Sequence, residues 1–499
     1  MSDTIYDVVI IGSGLGGLQC GAILSRHGYK VCVLEKNSKF GGTLQGFNSH
    51  GCRFGTGMHY IGSLDKGQVI DKIFRYLGIR EKLHMQRMDP KGFDVFGIGG
   101  KEYSYPIGME AFREQLHSYF PNETVAISKY LQEMEQTTGE VDLYNLRPLK
   151  NTMPGNSRSL NTGVFKLLRS LTPNQELQNV LGALNFEYAG EKDKTPFYTH
   201  ALINKHFIDS AWKFVDGSEQ LTNLLVGKIR EAGGKIIQKE KVTEILHKDN
   251  LLTGVKTAGG QMYRAKHIIS NIHPALTVGM LDKSLLRPSY RKRMLHLEST
   301  ISAFSLHLSL KENSFRYRNH NYHFYERPDV WYTSYYSEEN WPEFFYLFVP
   351  KVSTSDEYAA CVSIHTYMKF EEVARWQDLP LKRRGEEYET WKAAKAEKLL
   401  DLVTQQFPEL KGSVTGINIS TPLTFRDYIG TPDGGIYGTM KDYHHPLESY
   451  VGTKTRIPNL YFTGQNVNLH GALGVSMSSL LTCGEFIGLN KLIREVNEA

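Results

Sequence analysis

The chain has 499 residues, with 58 Lys or Arg against 53 Asp or Glu, which gives a formal net charge of +5 at pH 7. This length is well beyond the roughly 250–300 residues at which one hydrophobic core stops growing, so a small binding module is excluded. Charged residues make up 22% of the chain and form no long block of one sign, which excludes a disordered chain and provides no basic stripe for nucleic acid.

The cysteines and the apolar runs indicate the compartment. Five scattered cysteines show neither disulfide-framework nor metal-ligand spacing, so we expect no metal site and a reducing, cytoplasmic environment. No apolar run approaches the roughly 20 residues of a membrane span. Because a strand is predicted from Ile5, we expect no signal peptide, and the protein is expected to be soluble or attached peripherally to a membrane.

The first predicted elements are a strand, a glycine-rich turn, a helix and a second strand. The β-branched run at residues 5–11 (IYDVVII) predicts a parallel strand buried on both faces. It leads into a G-x-G-x-x-G motif, a helix that Gly28 would end, and a second strand at residues 30–34 that is followed by Glu35. This order, with an acidic residue about 20 positions after Gly14, is typical of a dinucleotide-binding unit.

Each part of this unit has a mechanical role in binding a dinucleotide. The first glycine allows the tight turn, the second lets the backbone approach a pyrophosphate, and the third packs the helix against the strand. The helix N-terminus offers free N–H groups to the phosphates, and the acidic residue accepts hydrogen bonds from a ribose. The cofactor contacts predicted in this unit are Gly12, Gly14, Leu15, Gly16, Gly17 and Glu35.

A second glycine pair and a segment near the carboxyl end extend this site. Residues 459–466 (NLYFTGQN) predict a short strand that runs into Gly464, and a helix rich in small residues follows to Gly488. A site assembled from both ends of the chain implies a discontinuous nucleotide domain with other material inserted between its strands. The further contacts predicted are Lys36, Gly41, Gly42, Thr43, Gly464 and Gly474.

The middle of the chain carries the inserted material. Residues 301–310 (ISAFSLHLSL) alternate apolar and polar side chains, which predicts a half-buried antiparallel strand, and residues 361–368 alternate less cleanly. Residues 322–348 contain twelve Phe, Tyr or Trp. Such a density is typical either of the wall of a large apolar cavity or of an aromatic sheet core.

One segment raises the question of membrane contact. Residues 151–172 combine a turn-rich stretch with an amphipathic segment at residues 164–171, in which apolar side chains lie at helical spacing beside two basic ones. The segment is either a helix in a bilayer interface or an ordinary surface helix packed on its own domain.

Several motifs resemble those of one family. DVVIIGSGLGGL, VCVLEKNSKFGG and NLYFTGQN are similar to the glutathione-reductase-like flavoprotein superfamily, and within it to the branch of phytoene desaturases, carotenoid isomerases and retinol saturases. Residues 54–62 (FGTGMHYIG) look most like the all-trans-retinol 13,14-reductase group. Val242 opens a segment similar to the strand whose backbone meets the adenine. At residues 465–466, Gln-Asn replaces the Gly-Asp of many members, whose carboxylate contacts the ribityl chain.

The resemblance implies an α/β fold in which a discontinuous Rossmann-type FAD-binding domain carries an inserted α+β substrate domain. FAD is the implied cofactor, with Val242 and Asn466 among its contacts. Because Asn466 is an amide, we expect FAD binding to be weaker or altered, without being lost. The implied FAD-binding segments are residues 1–75, 210–290 and 415–499, and the implied substrate-domain segments are residues 76–209 and 291–414.

The sequence carries no motif for metal, phosphoryl-transfer or acyl-transfer chemistry, so the flavin is expected to carry the reaction. It also has no second G-x-G-x-x-G unit, which leaves the electron donor or acceptor open among NADPH, a quinone, oxygen and a partner protein. His59 and Tyr60 are the candidate catalytic residues, as groups that donate or accept the proton. Both are equally compatible with a structural role.

The predicted activity is reduction, desaturation or isomerisation of a carbon–carbon double bond in a long apolar substrate such as a polyene, retinoid or carotenoid. The resemblance around His59-Tyr60 slightly favours reduction. Two other functions stay open: an amine-oxidase-like flavoprotein of the same architecture, and a non-redox lipid-binding protein of the same fold.

Overall fold

The structure is a computed structural model that describes residues 4–148 and 158–499. Its strands are β1 Ile5–Ile11, β2 Val31–Leu34, β3 Gly46–Ser49, β4 Cys52–Gly55, β5 Tyr60–Gly62, β6 Met85–Arg87, β7 Asp94–Ile98, β8 Lys101–Tyr105, β9 Ala211–Phe214, β10 Lys235–Ile237, β11 Val242–Lys248, β12 Leu251–Thr257, β13 Met262–Ser270, β14 Ser302–Leu310, β15 Asn321–Tyr325, β16 Phe344–Phe348, β17 Cys361–Met368, β18 Val414–Ser420 and β19 Leu460–Phe462. Its α-helices are α1 Leu15–Arg26, α2 Val69–Tyr76, α3 Met109–Tyr119, α4 Thr124–Gly139, α5 Val164–Leu171, α6 Gln175–Leu181, α7 Phe197–Asp209, α8 Glu219–Glu231, α9 Pro274–Gly279, α10 Pro288–Leu295, α11 Glu386–Gln406, α12 Pro422–Ile429, α13 Pro446–Ser449, α14 Gly471–Ile487 and α15 Leu489–Glu498.

The first large sheet joins the two ends of the chain to its middle. Its strands follow the order β10-β2-β1-β13-β12-β11, with β19 also paired to β13. The pairs around β1 are parallel, with Ile10 opposite both Val33 and Ile269. Helices α1, α8 and α14 cover one face of the sheet and α9 and α10 the other, so the inner strands are buried on both faces as predicted. Helix α1 ends just before Gly28, which adopts a positive φ of 82°.

The second large sheet is mostly antiparallel and has the order β18-β14-β17-β16-β15-β7-β8. Only the β15–β7 pair runs parallel in this sheet. A smaller sheet has the order β5-β9-β6. In the chain, β5 and β6 come before β7, and β9 comes directly before α8. The fold is therefore α/β, with a Rossmann-type sheet that carries an inserted mixed α and β part.

The prediction that residues 301–310 form a half-buried strand is wrong in its burial. Strand β14 lies between β17 and β18 and is buried along its whole length. Its polar side chains find partners inside the sheet: the hydroxyl of Ser305 is 2.8 Å from Nδ1 of His365, and Nδ1 of His307 is 3.0 Å from the hydroxyl of Ser363. The alternation of apolar and polar side chains along β14 therefore reflects two buried faces of the strand. The polar face is buried because its side chains have hydrogen-bond partners.

One predicted domain boundary falls inside an element of the structure. Strand β18 pairs with β14 in the second sheet, so the predicted boundary between residues 414 and 415 falls inside a strand. The three-stranded sheet and the helices around it connect both large sheets, so they mark no clear division between two domains. The remaining domain boundaries therefore stay a prediction.

The amphipathic segment packs on the protein. In α5, Val164, Leu167 and Leu168 are buried, and Phe165 meets the ring of Trp331 edge-on at 5.9 Å. These contacts favour the ordinary surface helix over the interfacial one. Residues 151–157 of the predicted turn-rich stretch lie outside the described part of the chain. Within the described residues, every helix is too short or too polar to cross a membrane.

Candidate active site

The glycine-rich turn brings β1 and α1 into close contact. Gly12 donates its N–H to the carbonyl of Leu34 at 2.8 Å and has φ +94°, which a side chain would strain. A Cβ on Gly17 would lie 2.1 Å from the carbonyl oxygen of Gly12. Helix α1 therefore starts directly against the turn, with its first N–H groups beside the groove.

Glu35 fixes this turn. Its carboxylate accepts hydrogen bonds from the backbone N–H and the hydroxyl of Ser13, at 3.1 and 2.6 Å, and from the N–H of Asn37 at 2.9 Å. The predicted ribose acceptor is thus buried and held at the carboxyl end of β2, with the glycine turn tied to it. A carboxylate has room for about four hydrogen bonds, so the described contacts leave capacity for a ligand hydroxyl.

The second glycine pair and the C-terminal segment pack against the same turn. The N–H of Gly41 donates to the backbone and side-chain oxygens of Ser13, and a Cβ on Gly42 would lie 3.1 Å from Cα of Gly14. On the other side, Asn271 donates to the carbonyl of Gly12 at 3.3 Å, and its side chain lies 2.3 Å from where a Cβ on Gly464 would stand. Backbone rather than side chain forms this end of the site.

These segments line a groove of about 720 Å³ between the first sheet and α12, which we call the cofactor groove. Among the predicted contacts, Gly17, Gly41 and Gly474 lie behind its surface. Gly474 supports the start of α14, where a Cβ would lie 2.3 Å from the backbone of Leu469. The predicted contacts that line the groove are Gly12, Gly14, Leu15, Gly16, Glu35, Lys36, Gly42, Thr43, Val242, Gly464 and Asn466.

The polar groups of the groove fit a dinucleotide. Oδ1 of the buried Asn466 has no hydrogen-bond partner, as an atom reserved for a ligand would. Lys36 donates to the carbonyl of Asp427 in α12 at 2.8 Å, and burial lowers the pKa of its ammonium. Lys441, which does not line the groove and whose pKa burial lowers to about 8, lies 3.4 Å from the backbone carbonyl of Asn466. The chain therefore carries a Rossmann-like dinucleotide site.

A second cavity, which we call the chamber, continues from the cofactor groove. Its volume is about 150 Å³, and both cavities share Leu15, Thr43, Ile429, Gln465 and Val475 in their walls. Most of its other wall residues are apolar or aromatic. They include Met58, Phe186, Ile203, Phe207, Ala303, Tyr346, Phe425, Ile436, Ala472 and Leu473.

The aromatic run from 322 to 348 serves both of the purposes considered for it. Tyr346 of β16 reaches the chamber wall, and Phe348 borders a smaller cavity of about 60 Å³ next to it. Phe345 and Tyr322 point to the other side of the sheet and pack in the core beneath α11. Strand β16 thus lines cavities with Tyr346 and Phe348 and packs in the sheet core with the alternate side chain of Phe345.

The structure brings both predicted catalytic residues, His59 and Tyr60, to the chamber wall. The His59 ring lies 4.6 Å from that of His365, and burial lowers the pKa of His59 to about 4, so this imidazole is neutral near pH 7. Nδ1 of His59 and Nε2 of His365 have no hydrogen-bond partner. These two nitrogens can hydrogen-bond a polar group of a substrate, but a neutral His59 is a poor proton donor.

Tyr60 is hydrogen-bonded to the buried Asp94. Its hydroxyl donates to Oδ2 of Asp94 at 2.9 Å, and its ring stacks on Phe207 at 4.2 Å. Burial and the charge of Asp94 together raise the pKa of the Tyr60 hydroxyl well above its usual range. Glu187 also lines the chamber, and burial first and the charge of Asp94 second raise the pKa of its carboxyl well above its usual range.

Sequence reasoning missed Glu187 and Asp94, along with His365, Tyr437 and His470 of the chamber wall. Glu187 lies in a short 3₁₀ segment, Ala183–Tyr188, with no recognisable motif. The one available signal is that Asp94 opens a strand of otherwise apolar character, since an acidic residue inside a buried strand needs a partner. Its partner, Tyr60, lies 34 positions away, which one sequence does not reveal.

Comparisons with known proteins agree with this geometry. Residues 10–77 match a family model described as an NAD(P)-binding Rossmann-like domain. The chain is 28% identical to all-trans-retinol 13,14-reductase of Rattus norvegicus, over 97% of this chain and 86% of the relative. It is 26% identical to prolycopene isomerase 2, chloroplastic, of an Oncidium hybrid cultivar, over 95% of this chain and 83% of the relative.

The predicted family resemblance is confirmed. The similarity extends over nearly the whole chain and includes both reductase and isomerase relatives. Among solved structures, cyclohexylamine oxidase from Brevibacterium oxydans superposes with a TM-score of 0.63 at 15% identity, covering 99% of each chain. At that identity the superposition establishes the shared fold alone.

Proposed function

We propose that this protein is an FAD-dependent oxidoreductase that reduces a carbon–carbon double bond of a long apolar substrate, such as a polyene, retinoid or carotenoid. The observation that carries the proposal is the continuity of the two cavities: a glycine-lined dinucleotide groove runs into a chamber with largely apolar walls. The names of the relatives, a retinol reductase and a carotenoid isomerase, support the same substrate class.

FAD is the proposed dinucleotide. The helix N-terminus at Gly14 and Leu15 would bind its pyrophosphate, Glu35 its ribose, Val242 its adenine end and Asn466 its ribityl chain. When bound, a flavin supplies or accepts a hydride. The chain's own contribution is to exclude water with the apolar chamber walls, to orient the substrate, and to hold a proton beside it. His59 and Tyr60, the candidate catalytic residues predicted from the sequence, are the polar residues proposed to contact the substrate. His59 is proposed to act as a hydrogen-bonding group.

The experiment is the visible absorption spectrum of the purified protein, recorded anaerobically before and after NADPH and then a polyene such as retinol. We expect an oxidised flavin spectrum, bleaching by NADPH and recovery with the polyene. NADPH is the first electron donor tested. If NADPH does not bleach the flavin, sodium dithionite is used to reduce it. Failure of NADPH would indicate that the natural electron donor is a quinone or a protein.

Other outcomes separate the other functions. Bleaching by a polyene alone would indicate a desaturase, and a change of polyene geometry without net bleaching an isomerase. Peroxide release with amines would favour an amine oxidase. A colourless protein that takes up no FAD would contradict the enzyme proposal and favour a lipid-binding protein. We further propose a cytoplasmic protein that meets membranes peripherally, since its substrate would partition into lipid.

A further inference from the structure

We propose that His365 binds a carbonyl oxygen of the substrate, so that the double bond reduced in the chamber is conjugated to an aldehyde or a ketone. The proposal rests on the proposed function and narrows its substrate class. A hydrogen-bond donor in the chamber wall, fixed by its neighbours on the second sheet, carries it.

His365 lies in a polar row that crosses the chamber face of the second sheet. Its cross-strand neighbours are Ser305 on β14 and Tyr346 on β16, and His365 and Tyr346 both line the chamber. All three side chains are buried. Nε2 of His365 and the hydroxyl of Tyr346 have no hydrogen-bond partner among the described residues. Since buried polar groups in folded proteins are almost always paired, these two atoms indicate that a ligand supplies the partner.

The position of the proton on His365 follows from its contact with Ser305. The Ser305 hydroxyl lies 2.8 Å from Nδ1 of His365, and it makes no other hydrogen bond within the described residues. If Nδ1 carried the proton, the buried Ser305 O–H and Nε2 of His365 would both be left unpaired. If Ser305 donates to Nδ1, the Nε2–H alone is left over. Because unpaired buried polar groups are costly, His365 presents an N–H donor.

The chamber wall provides no cation for an acidic substrate. Within the described residues, no lysine or arginine lines the chamber. Burial lowers the pKa of His365 well below its usual range, and it lowers the pKa values of the other wall histidines, His59, His206 and His470, to about 4, 3 and 4. All four imidazoles are therefore neutral near pH 7. A carboxylate would be a buried charge without a counter-ion, whereas a carbonyl needs only a neutral donor.

Hydride addition gives the reason why a carbonyl suits this donor better than a hydroxyl does. In a conjugated aldehyde or ketone, the hydride adds to the carbon β to the carbonyl, and the displaced electron pair moves to the carbonyl oxygen. The negative charge that develops there strengthens the hydrogen bond from His365, so the transition state is stabilised more than the ground state. In an alcohol or a hydrocarbon the charge stays on carbon, which accepts hydrogen bonds poorly.

The step balances without any change in His365. A hydride, supplied by the reduced flavin of the proposed function, forms the C–H bond at the β carbon while the C=C π bond breaks. The resulting enolate oxygen keeps its hydrogen bond to Nε2–H. A proton, drawn in the end from water, then forms the C–H bond at the α carbon, and the carbonyl is restored. His365 donates a hydrogen bond throughout and loses no proton.

The first test measures the hydrogen bond without turnover. β-Ionone, a compact conjugated ketone, is bound to the oxidised, flavin-loaded protein, and the C=O stretch of its isotope-labelled carbonyl is recorded by infrared difference spectroscopy. We expect a band at lower wavenumber than in hexane. The shift is expected to disappear in His365→Leu. It is expected to stay in His307→Leu, since His307 is bonded to Ser363 and does not line the chamber.

Three results of this test would overturn the proposal. They are a failure of β-ionone to bind, an unshifted band in wild type, and a shift that survives in His365→Leu but disappears in Tyr346→Phe. Two further variants guard against misfolding of His365→Leu. His365→Gln keeps an N–H donor and is expected to keep most of the shift. Ser305→Ala removes the hydroxyl that assigns the proton to Nε2, so it is expected to reduce the shift.

The second test compares two substrates in a single turnover of the pre-reduced protein. Retinal is expected to reoxidise the flavin at least about 100-fold faster than retinol, because the oxygen of the aldehyde alone can take up the charge. His365→Leu is expected to slow reoxidation by retinal about 10²–10³-fold and to leave the rate with retinol nearly unchanged. Equal wild-type rates with retinal and retinol would overturn the proposal.

The two tests separate failure of this proposal from failure of the proposed function. If His365 shifts the ketone band but no polyene reoxidises the flavin, the proposed reduction is wrong and the carbonyl site serves another reaction. If retinal and retinol reoxidise the flavin equally and the ketone band is unshifted, the reduction is supported and the carbonyl site is wrong.

Discussion

The cofactor groove and the chamber are neighbouring cavities that are built in different ways. Glycines and backbone groups from short motifs form much of the groove, and side chains from strands, helices and loops far apart in sequence form the chamber. A site made of backbone is encoded locally, because a glycine is needed wherever a Cβ would collide. A site made of converging side chains is encoded only by the whole fold, so the groove can be predicted from the sequence and the chamber largely cannot.

A methyl group in the glycine turn is expected to have the largest effect. In Gly17→Ala, the Cβ would stand 2.1 Å from the Gly12 carbonyl oxygen, so α1 must move away from the turn. We expect the flavin dissociation constant to rise at least about 100-fold, since the helix N-terminus and the turn bind the pyrophosphate together. Flavin content and fluorescence titration measure it.

The matched control for this variant is Gly139→Ala, at the end of α4, where an added Cβ meets nothing within 4 Å. It is expected to bind flavin as wild type does. Equal binding in Gly17→Ala would show that the turn is not the pyrophosphate site.

Filling the chamber is expected to separate the two cavities. Ala472 lies in the first turn of α14 and lines the chamber but not the groove. In Ala472→Phe, a ring takes up much of a cavity of about 150 Å³. We expect the KM for an apolar substrate to rise roughly tenfold or more while flavin absorbance is kept.

Ala393→Phe, on the exposed face of α11, controls for an added ring elsewhere. If Ala472→Phe left KM unchanged with flavin bound, the substrate would have to bind outside the chamber.

Replacing an amide in the groove is expected to have a moderate effect. Asn466 has an unpartnered Oδ1, and the buried ammonium of Lys441 lies beside its carbonyl. In Asn466→Asp, a charge-assisted hydrogen bond to the ribityl hydroxyls should tighten FAD binding about fivefold. Isothermal titration of the deflavinated protein checks this, with Asn466→Ala as the comparison. Weaker binding in the aspartate variant would show that burying the charge costs more than the bond gains.

The smallest expected effect concerns acid stability. Because burial lowers the pKa of His59 to about 4, its neutral form stabilises the fold above pH 6.5, and that contribution is lost as pH falls toward 4. Between pH 7 and pH 6 we expect His59→Gln to lose about 0.7 kcal/mol less unfolding free energy than wild type.

Urea unfolding at both pH values measures that difference. His84→Gln, at an exposed position, provides the matched histidine loss and should behave as wild type does. An unchanged pH dependence in His59→Gln would mean that this imidazole is hydrated in solution.

The sequence predicted β1, α1 and the C-terminal strand and helix well, because buried β-branched runs and glycine stops leave a strong local signal. The sequence also predicts the position of β14 correctly, but the prediction of its burial is wrong. Ser305 and His307 are polar, which indicates exposure, and only the fold provides their hydrogen-bond partners on β17. His59 and Tyr60 were found through the family resemblance. Asp94 and Glu187 were not, because Asp94 meets its partner Tyr60 only in the folded chain and Glu187 lies in a short 3₁₀ segment without a motif.

The position of β13 between β1 and β19 has a consequence for how the protein is made. Ile269 pairs with Ile10 on one side and Tyr461 on the other, so three distant parts of the chain must meet before the groove exists. At roughly 5–20 residues per second, a ribosome needs about 25 to 100 seconds between the two ends. The nascent glycine turn therefore waits without β13 and β19, and cofactor capture is a late, post-translational event. Shortage of cofactor during rapid expression would consequently leave complete but empty chains.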